Sequence, residues 1–469
     1  MKALALVALL AACDDTPSNG RCHPAAICLG PDAPGPDILV SLRALPGVMV
    51  TEQPALHAPP GYRYFVLEVT QPVDHANPNS ATFQQEVSLI HRDVTAPMVA
   101  LTTGYDDYFL DHADESTQLL GANQISIEHR FFGSFRPIPA DWTKLTIAQM
   151  ADDEHAIITL LKPIYGAAWI ATGASKGGMT ATYLSRFYPD DIAGTLAYVA
   201  PLSFAIPDPR YAPQFATIGT QPCRDQVKAL ATELLANRRT AIEQRAQAQA
   251  QAMGYAYTRI ALGPAVESAI RDLEWTYWQY YGLADCGALP ATTATDDDLF
   301  AVLDHYSPIN FSDDASAAAF EAYFYQAYAQ LGSPGLASMR GDTPPSYLAP
   351  SVMYAEPDYA GTLPLGTPIP TYDPAPMLDI DQWVRAEGAH LIFVYGQDDP
   401  WSGGMFRLGN ATDALELVVA GGTHGADLRQ LAPTDQAAAL AKLEAWTGVT
   451  PSFPAKLRAR PRPARRLPL

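Results

Sequence analysis

Short apolar runs alternate along most of the chain with segments of helical periodicity. An amphipathic helix is expected at Ile147–Lys162, where apolar residues recur at helical spacing. The first two apolar runs have strand character and are expected to pair antiparallel, and the later ones predict a mostly parallel α/β sheet. The expected strands are Tyr64–Gln71, Glu86–Arg92, Pro97–Gly104, Asn123–Glu128, Trp169–Gly173, Thr195–Val199, His390–Tyr395 and Leu415–Val419.

The segment between about residues 204 and 380 interrupts this alternation. It contains long helical stretches separated by proline-rich loops, namely Asp225–Met253, Ala265–Tyr281 and Ala315–Leu331. Because strand signals resume after it, we expect residues 38–203 and 381–455 to form one core. Residues 204–380 are then expected to form a large helical cap inserted between the two parts of that core.

The two ends of the chain differ in composition from the rest. Residues 1–12 combine a basic start with a short apolar run, which is typical of a signal peptide and shorter than the roughly 20 residues of a bilayer span. The run ends at Leu10-Ala11-Ala12-Cys13, which resembles the acylation site of bacterial lipoproteins, and the alternative is an ordinary cleaved signal. Residues 13–37 are predicted to be a Pro/Gly/Asp-rich tether, and residues 456–469 a basic disordered tail. We therefore expect an exported protein, either anchored to a membrane through a lipid at Cys13 or extracellular or periplasmic.

Charge and cysteine content restrict the partners further. The formal net charge of -20 argues against nucleic acid as a partner, because phosphate binding needs a basic surface. With Cys13 set aside, four of the five cysteines remain, which in an exported chain predicts two disulfides. The pairs Cys22–Cys28 and Cys223–Cys286 are expected, with other pairings open. No Cys/His cluster has metal-site spacing, so we expect no metal and no cofactor.

A glycine-rich turn follows the apolar strand at Trp169–Gly173. Gly173-Ala174-Ser175-Lys176-Gly177 fits the G-x-S-x-G pattern of a nucleophile elbow, and the next segment can begin a helix. In such an elbow the serine has a strained backbone, and its neighbours two residues away must be small so that the backbones can pass. An ordinary glycine-rich turn is the alternative. The context favours Ser175 as a nucleophile.

A serine nucleophile needs a base, and the base needs an acid that orients it. Asp399 follows the strand His390–Tyr395, with Asp398 as its rival, for which a turn or capping role is the alternative. His424 lies in a glycine-rich loop after the last strand, and a solvated loop histidine is the alternative there. The chain order Ser, Asp, His is that of the α/β-hydrolase fold, which we therefore predict, with Ser175, Asp399 and His424 as catalytic triad.

The oxyanion of an acyl-transfer reaction needs two backbone N–H donors. The residue after the nucleophile, Lys176, is expected to supply one of them. The loop after the strand Pro97–Gly104 is expected to supply the other at Tyr105, with Asp106 as the alternative. The amine of Lys176 is not expected to act in catalysis.

Longer segments resemble a known family. Gly173–Ala181 and Phe187–Asp191 resemble the secreted bacterial tripeptidyl aminopeptidases of serine peptidase family 37, some of which are called prolyl tri- or tetrapeptidyl aminopeptidases. Glu128–Gly133, Asp399–Gly404 and His424–Arg429 support this and are also similar to the lysosomal prolyl carboxypeptidase and dipeptidyl peptidase group. In that group a D-P-W-S-G-G loop carries the triad acid and an H-x-x-D-L-R segment carries the base. The resemblance, from roughly Gly61 to Leu431, selects the same triad.

The resemblance implies a peptidase that removes short peptides, tripeptides above all and often after proline, from substrates with a free N-terminus. Such an enzyme needs a carboxylate for the substrate ammonium, with Glu128 and Glu274 as the first candidates. Asp106, Asp107 and Glu321 are further candidates, and each of these acids has a structural role as the alternative. A pocket for proline is expected to be lined by aromatic residues of the cap. The alternative is that these residues form the hydrophobic core of the cap. They are Trp275, Tyr277, Trp278, Tyr280, Tyr281, Tyr323, Phe324 and Tyr325. Arg130 and Arg186 are expected in structural ion pairs.

Two other functions remain open at this point. The same triad would serve an esterase or lipase, and loss of activity when the substrate amine is blocked would distinguish a peptidase from these. A lipid-anchored binding protein on an inactive hydrolase scaffold is the alternative outside enzymes.

Overall fold

The computed structural model describes residues 37–133, 136–339, 342, 344–354 and 359–455. Residues 1–36 and 456–469 lie outside this range. The signal peptide, the lipid at Cys13, the Cys22–Cys28 disulfide and the basic tail therefore stay predictions.

The core of the molecule is one mixed sheet. Its order is β1-β2-β3-β5-β4-β6-β7-β8-β9, with antiparallel pairing from β1 to the β3–β5 pair and parallel pairing from β5 onward. The strands are β1 (Val48–Gln53), β2 (Arg63–Pro72), β3 (Thr82–His91), β4 (Met98–Thr102), β5 (Asn123–Ile127), β6 (Trp169–Ala174), β7 (Gly194–Tyr198), β8 (Leu391–Gly396) and β9 (Leu415–Val419). A mostly parallel sheet with this strand order has the α/β-hydrolase topology, which confirms the predicted fold class. All eight predicted strands are present within a few residues, and β1 is an edge strand that the apolar pattern did not indicate.

Helices cover the sheet and fill the segment between β7 and β8. Their order follows the chain: α1 (Ile38–Arg43), α2 (Glu115–Leu120), α3 (Ile147–Leu161), α4 (Lys176–Phe187), α5 (Tyr211–Phe215), α6 (Gln221–Ala236), α7 (Arg239–Met253), α8 (Leu262–Arg271), α9 (Leu273–Tyr280), α10 (Asp296–Tyr306), α11 (Asp314–Gln326), α12 (Tyr359–Thr362), α13 (Ala375–Ala386) and α14 (Pro433–Thr447). Strands β4 to β8 have buried residues on both faces, as expected of parallel strands covered by helices. Within the described residues, no helix combines the length and the apolar character needed to cross a membrane.

The helical segment between β7 and β8 has a hydrophobic core of its own. Buried side chains of α6 to α10, such as Leu234, Ile270, Trp278 and Leu303, pack together there. A disulfide joins Cys223 of α6 to Cys286, in the 3-10 segment that follows α9. The predicted boundary at residue 380 lies inside α13, which contacts α4, so the last helix of this segment packs against the sheet domain.

A second apolar cluster lies between the helical segment and the carboxyl end of the sheet. It brings Tyr105, Phe132 and Trp401 from the sheet loops together with Trp275 of α9 and Tyr323 of α11. Packing of these large rings fixes how the helical segment sits over the sheet edge at which the predicted catalytic residues lie.

Candidate active site

Ser175 lies at a sharp turn between β6 and α4. Its φ of 57° and ψ of -127° are outside the regions that L-residues favour, so its backbone is strained. The flanking glycines explain how the turn is tolerated. A Cβ atom on Gly173 would lie 2.4 Å from the carbonyl carbon of Gly177, and one on Gly177 would lie 2.3 Å from the carbonyl oxygen of Thr102. The backbone at Ser175 therefore has the strained and closely packed geometry that a nucleophile elbow requires.

Asp399 and His424 are hydrogen-bonded to each other at the same edge of the sheet. His424 Nδ1 lies 2.6 Å from Asp399 Oδ2, and the Asp399 side chain is fully buried. The Trp401 N–H donates to Asp399 Oδ1 over 3.0 Å, which fixes the carboxylate from its other side. An aspartate held in this way orients the imidazole and stabilises its charged form.

The second ring nitrogen of His424 is the one that would face a serine. Nε2 is buried and has no hydrogen-bond partner among the described residues. The aspartate–histidine half of the predicted triad is thus formed, and the hydrogen bond between Ser175 and His424 is not made in this structure. Catalytic hydrogen bonds often tighten only when substrate binds.

Asp398, the rival acid, has a different role. Its Oδ1 accepts a hydrogen bond of 2.9 Å from the N–H of Gly219, in the loop before α6. This carboxylate therefore joins the strand-end loop to the helical segment.

The helical segment also holds the histidine loop. The N–H of His424 donates to the carbonyl of Gln279 in α9 over 2.8 Å. The ring of Tyr280 stands edge-on to the imidazole at a centroid distance of 6.3 Å. Neither residue carries a motif, so nothing in the sequence pointed to this support.

The two backbone N–H groups that were predicted to bind the oxyanion differ in whether they already have an acceptor. Lys176 is the first residue of α4, where a backbone N–H has no intrahelical acceptor and the helix dipole favours negative charge. The Tyr105 N–H, in contrast, donates to Thr103 Oγ1 over 3.2 Å. The assignment of Tyr105 as an N–H donor stays a prediction, and an oxyanion would have to replace the Thr103 contact.

The side chain of Lys176 ties the elbow to the loop after β4. It is buried, and its Nζ donates to the carbonyl of Gly104 over 2.6 Å. Burial lowers the pKa of this amine well below its usual range, and the nearby carboxylate of Glu154 opposes this shift. The side chain packs near the rings of Tyr105 and Phe132, at 5.6 and 5.1 Å from their centroids.

Glu128 is a buried carboxylate at the end of β5, beside the loop that carries Tyr105. Its Oε1 has no hydrogen-bond partner among the described residues. Burial, together with the nearby carboxylates of Glu86 and Asp107, raises the pKa of Glu128 to about 9. Burial also raises the pKa of Glu86 to about 7. No arginine or lysine forms an ion pair with Glu128 in the part of the chain that the structure describes. Within the described residues, the carboxylate of Glu128 therefore has no compensating cation.

Each of the other candidate acids either has a hydrogen-bond or ion-pair partner or is exposed to solvent. Glu274 Oε2 accepts from the Tyr347 hydroxyl at 2.8 Å, and its Oε1 lies 3.6 Å from Lys228 Nζ. Glu321 is paired with both Arg136 and Arg259, at 2.8 and 3.1 Å. Asp107 Oδ1 accepts from Ser126 at 2.6 Å, and Asp106 is exposed. Of these candidates, Glu128 combines burial, a pKa raised to about 9 and an oxygen with no hydrogen-bond partner among the described residues.

Comparisons with known proteins identify the family of the chain. Residues 32–469 match the model of the PS-10 peptidase S37 family. The chain belongs to the peptidase S37 family. It is 39% identical over 433 residues to a prolyl tri/tetrapeptidyl aminopeptidase of Streptomyces mobaraensis, covering 89% of this chain and 87% of that protein.

Solved structures that are similar at low identity include VinJ and a proline iminopeptidase. VinJ matches with 12% identity and a TM-score of 0.39, covering 81% of this chain and 98% of that one. A proline iminopeptidase of Mycobacterium smegmatis matches with 12% identity and a TM-score of 0.36, covering 81% and 98%. The strand order of the sheet, and not these weak structural matches, establishes the fold of this S37 member. Membership of the peptidase S37 family makes the chain a serine hydrolase.

The aromatic residues predicted for a proline pocket divide into two groups in this S37 peptidase. Tyr277 and Trp278 are fully buried in the core of the helical segment, which is their structural alternative. Another four belong to the cluster next to the sheet edge, namely Trp275, Tyr323, Phe324 and Tyr325. Tyr280 stands at His424, and Tyr281 packs on Tyr306 at 4.6 Å.

Two arginines of the S37 peptidase form structural ion pairs, as expected. Arg130 is fully buried and binds both carboxylate oxygens of Asp153 at 2.7 and 2.8 Å. Arg186 lies 3.1 Å from Asp379 of α13.

One group of side chains in the described residues has metal-ligating chemistry, namely His57, Asp111 and His112. Asp111 accepts hydrogen bonds from the N–H and Nδ1 of His57, at 2.6 and 2.8 Å, and the two imidazole rings stack at 4.2 Å. These contacts give Asp111 a loop-fixing role.

Proposed function

We propose that this S37 peptidase removes tripeptides from free N-termini, preferring proline before the scissile bond, through an acyl-enzyme on Ser175. The observation that carries the proposal is the 39% identity, over 89% of the chain, to a protein named prolyl tri/tetrapeptidyl aminopeptidase. The strained serine and the buried Asp399–His424 pair supply the chemistry such a reaction needs.

The mechanism follows from the three side chains. Ser175 Oγ attacks the carbonyl carbon of the scissile peptide bond while His424 Nε2 takes the hydroxyl proton. Asp399 keeps the proton of Nδ1 in place and stabilises the imidazolium. His424 then returns its proton to the leaving amine, the C–N bond breaks, and an ester to Ser175 remains. Water attacks this ester with His424 again as base, which releases the tripeptide and restores the serine.

Glu128 is our proposed partner for the substrate ammonium. A cation beside a buried carboxylate favours the ionised acid, so a bound ammonium would lower the raised pKa of Glu128. The same contact would be strong, because both groups are removed from water and charged. Anchoring the amine at a fixed distance from Ser175 would set the length of the peptide removed.

The proposal is tested with a fluorogenic tripeptide that ends in proline, presented once with a free and once with an acetylated N-terminus. Release of the fluorophore from the free form alone, lost in Ser175→Ala, would support an aminopeptidase. Equal cleavage of both forms would contradict it, and cleavage of neither, with activity on simple esters, would favour an esterase.

We further propose that the protein is exported. The disulfide between Cys223 and Cys286 supports this, because such bonds persist mainly in oxidising compartments. Expression with labelled palmitate tests the lipid anchor, with Cys13→Ser as control. A label that persists in Cys13→Ser, or that is absent from the wild type, would contradict acylation at that residue.

A further inference from the structure

The amine of Lys176 lies where a lysine side chain is rarely found. The side chain is 2% exposed, and within the described residues its Nζ has one hydrogen-bond acceptor, the carbonyl of Gly104 at 2.6 Å. The rings of Tyr105 and Phe132 lie beside it, and no carboxylate of the described residues is within ion-pair distance. Lysine is almost never fully buried without an acidic partner, because taking the amine out of water is costly. A side chain that only filled this space would need no amine, which points to a role for the nitrogen.

The acceptor of this hydrogen bond belongs to the loop that lies on the nucleophile elbow. A Cβ atom on Gly104, whose φ is +75°, would lie 2.6 Å from the backbone nitrogen of Gly177 and 2.7 Å from the carbonyl carbon of Lys176. Lys176 and Gly177 begin α4, directly after Ser175. The amine therefore joins the loop after β4 to the helical turn against which the backbone of that loop already packs.

The two ends of the Gly104–Tyr105 peptide group are held unequally. The carbonyl accepts from Lys176 Nζ at 2.6 Å, whereas the N–H reaches Thr103 Oγ1 at 3.2 Å, the long end of the normal range for such a bond. The carbonyl and the N–H of a planar trans peptide point in opposite directions, so fixing the carbonyl also fixes the direction of the N–H. A charged acceptor forms a shorter and stronger bond than a hydroxyl does, so it can take this N–H from Thr103 while the carbonyl stays in place.

We propose that Lys176 is a positioning residue of the oxyanion site: its amine holds the Gly104–Tyr105 peptide group against the elbow, where the N–H of that group and the N–H of Lys176 itself are the two donors. The proposal rests on the proposed function, in which Ser175 is the nucleophile. When Ser175 Oγ bonds to the substrate carbonyl carbon and its proton goes to His424, the carbonyl π electrons move to oxygen. The two N–H groups bind that oxygen, and the amine of Lys176 keeps its protons and touches no substrate.

The position of the amine has two physical effects on the second donor. A donor that is fixed in advance needs no reorganisation when charge develops, which is the condition for strong stabilisation of the transition state. A hydrogen bond to the carbonyl of a peptide group also polarises that group, so its N–H becomes a better donor. Both effects hold for either protonation state of the amine, since each has an N–H to donate.

The test is Lys176→Met, which keeps most of the apolar stem and removes the amine while the backbone N–H remains. We expect kcat to fall by about 100-fold, the effect of misplacing a reacting group by about 1 Å, with little change in KM. The same loss is expected with a simple ester, because both reactions form an oxyanion. A tripeptide aldehyde, whose adduct with Ser175 places an oxygen in the oxyanion position, should bind more weakly by a similar factor, and the product tripeptide should bind as before.

Lys162→Met serves as the matched control. Lys162 Nζ also donates to a backbone carbonyl, that of Asp190 at 3.3 Å, and Asp190 follows the C-terminus of α4, the end remote from Ser175. This variant should keep the wild-type kcat and aldehyde affinity. Circular dichroism should show the wild-type fold for both methionine variants.

A second variant decides the question if Lys176→Met does not fold. The side chain in Lys176→Gln ends one bond short of the position of Nζ, so the same loss of kcat and of aldehyde affinity is expected. A folded variant at position 176 with wild-type values of both would overturn the proposal. Equal weakening of aldehyde and product binding would also contradict it, because it would indicate a general disturbance of the site. Hydrolysis that survives in Ser175→Ala would instead refute the proposed function, so the two failures are distinguishable.

Discussion

Asp398 and Asp399 are neighbours in sequence whose side chains serve different partners, and a matched pair of substitutions separates them. Asp399→Asn replaces the carboxylate at His424 Nδ1 by a group that can present an amide donor, which favours the wrong imidazole tautomer. We expect kcat to fall by about 10⁴-fold, as for loss of a triad aspartate elsewhere, with the fold intact. Steady-state hydrolysis of the fluorogenic tripeptide measures this.

Asp398→Asn is the control for that experiment. An asparagine keeps a side-chain oxygen that can accept from the Gly219 N–H, so this variant should retain kcat within a few-fold. A loss of activity in Asp398→Asn with none in Asp399→Asn would reverse the assignment of the triad acid.

Glu128 is expected to reduce stability at neutral pH, because its folded-state pKa of about 9 lies above the ordinary value of 4.5. Between these two values the folded protein keeps a proton that the unfolded chain has released, so this group makes stability fall as pH rises through that window. Glu128→Gln should therefore increase the free energy of unfolding at pH 7 by about 1–3 kcal/mol, with the difference vanishing near pH 4. Denaturant unfolding at both pH values checks this.

The same substitution should weaken substrate binding, because the ammonium loses its charged partner. We expect KM for the free-amine tripeptide to rise by about 10- to 100-fold, the effect of losing one charged hydrogen bond. Glu321→Gln is the control for the stability measurement. It leaves Arg136 and Arg259 without their acid, so it should lower the free energy of unfolding, whereas Glu128→Gln should raise it. A Glu128→Gln protein with unchanged KM would exclude this residue as the ammonium anchor.

At the scale of elements, the apolar pattern was most informative where strands are buried on both faces. Runs such as Trp169–Gly173 contain no charged residue, and in the structure they are central strands. β1 has mostly exposed residues at the sheet edge and pairs only with β2, so burial imposes little pattern on it. The predicted stretch Ala265–Tyr281 is broken at Asp272, whose carboxylate accepts from the N–H groups of Ala337 and Ser338. That break comes from a distant loop and leaves no periodic signal.

The nucleophile elbow offers a prediction about a whole element. Gly173→Ala would place a methyl group 2.4 Å from the backbone of Gly177, and neither strand β6 nor helix α4 can move without disturbing the sheet. We expect a loss of about 1–3 kcal/mol or more in stability. Thermal unfolding followed by circular dichroism measures it.

Gly166→Ala is the matched control for the elbow, because a Cβ atom there meets nothing within 4 Å. Its stability should stay within about 1 kcal/mol of the wild type. Equal effects of the two substitutions would argue against the close approach of β6 and α4 as the reason for glycine at position 173.

At the scale of the whole molecule, the sequence indicates the order of the candidate triad residues along the chain. It does not indicate the contacts from the helical segment that hold the histidine loop in place. Ser175, Asp399 and His424 each follow an apolar strand, and parallel strands place such residues at one edge. The contribution of the helical segment was not visible in the sequence, since it depends on a backbone carbonyl of Gln279 and on the ring of Tyr280. Contacts of this kind arise from tertiary packing alone.

From that dependence we expect the Cys223–Cys286 disulfide to support activity as well as stability. The bond spans 63 positions and fixes α6 to the end of α9, the helix that holds the His424 loop. Closing a loop of this length stabilises a fold by about 4 kcal/mol in the chain-entropy model.

We expect the double variant Cys223→Ser/Cys286→Ser to lose activity on warming before the sheet unfolds, because the helical segment loosens first and releases His424. Activity and far-ultraviolet circular dichroism, followed over the same temperature range, measure the two events. Coincident transitions at the wild-type temperature would show that the bond does not support the site.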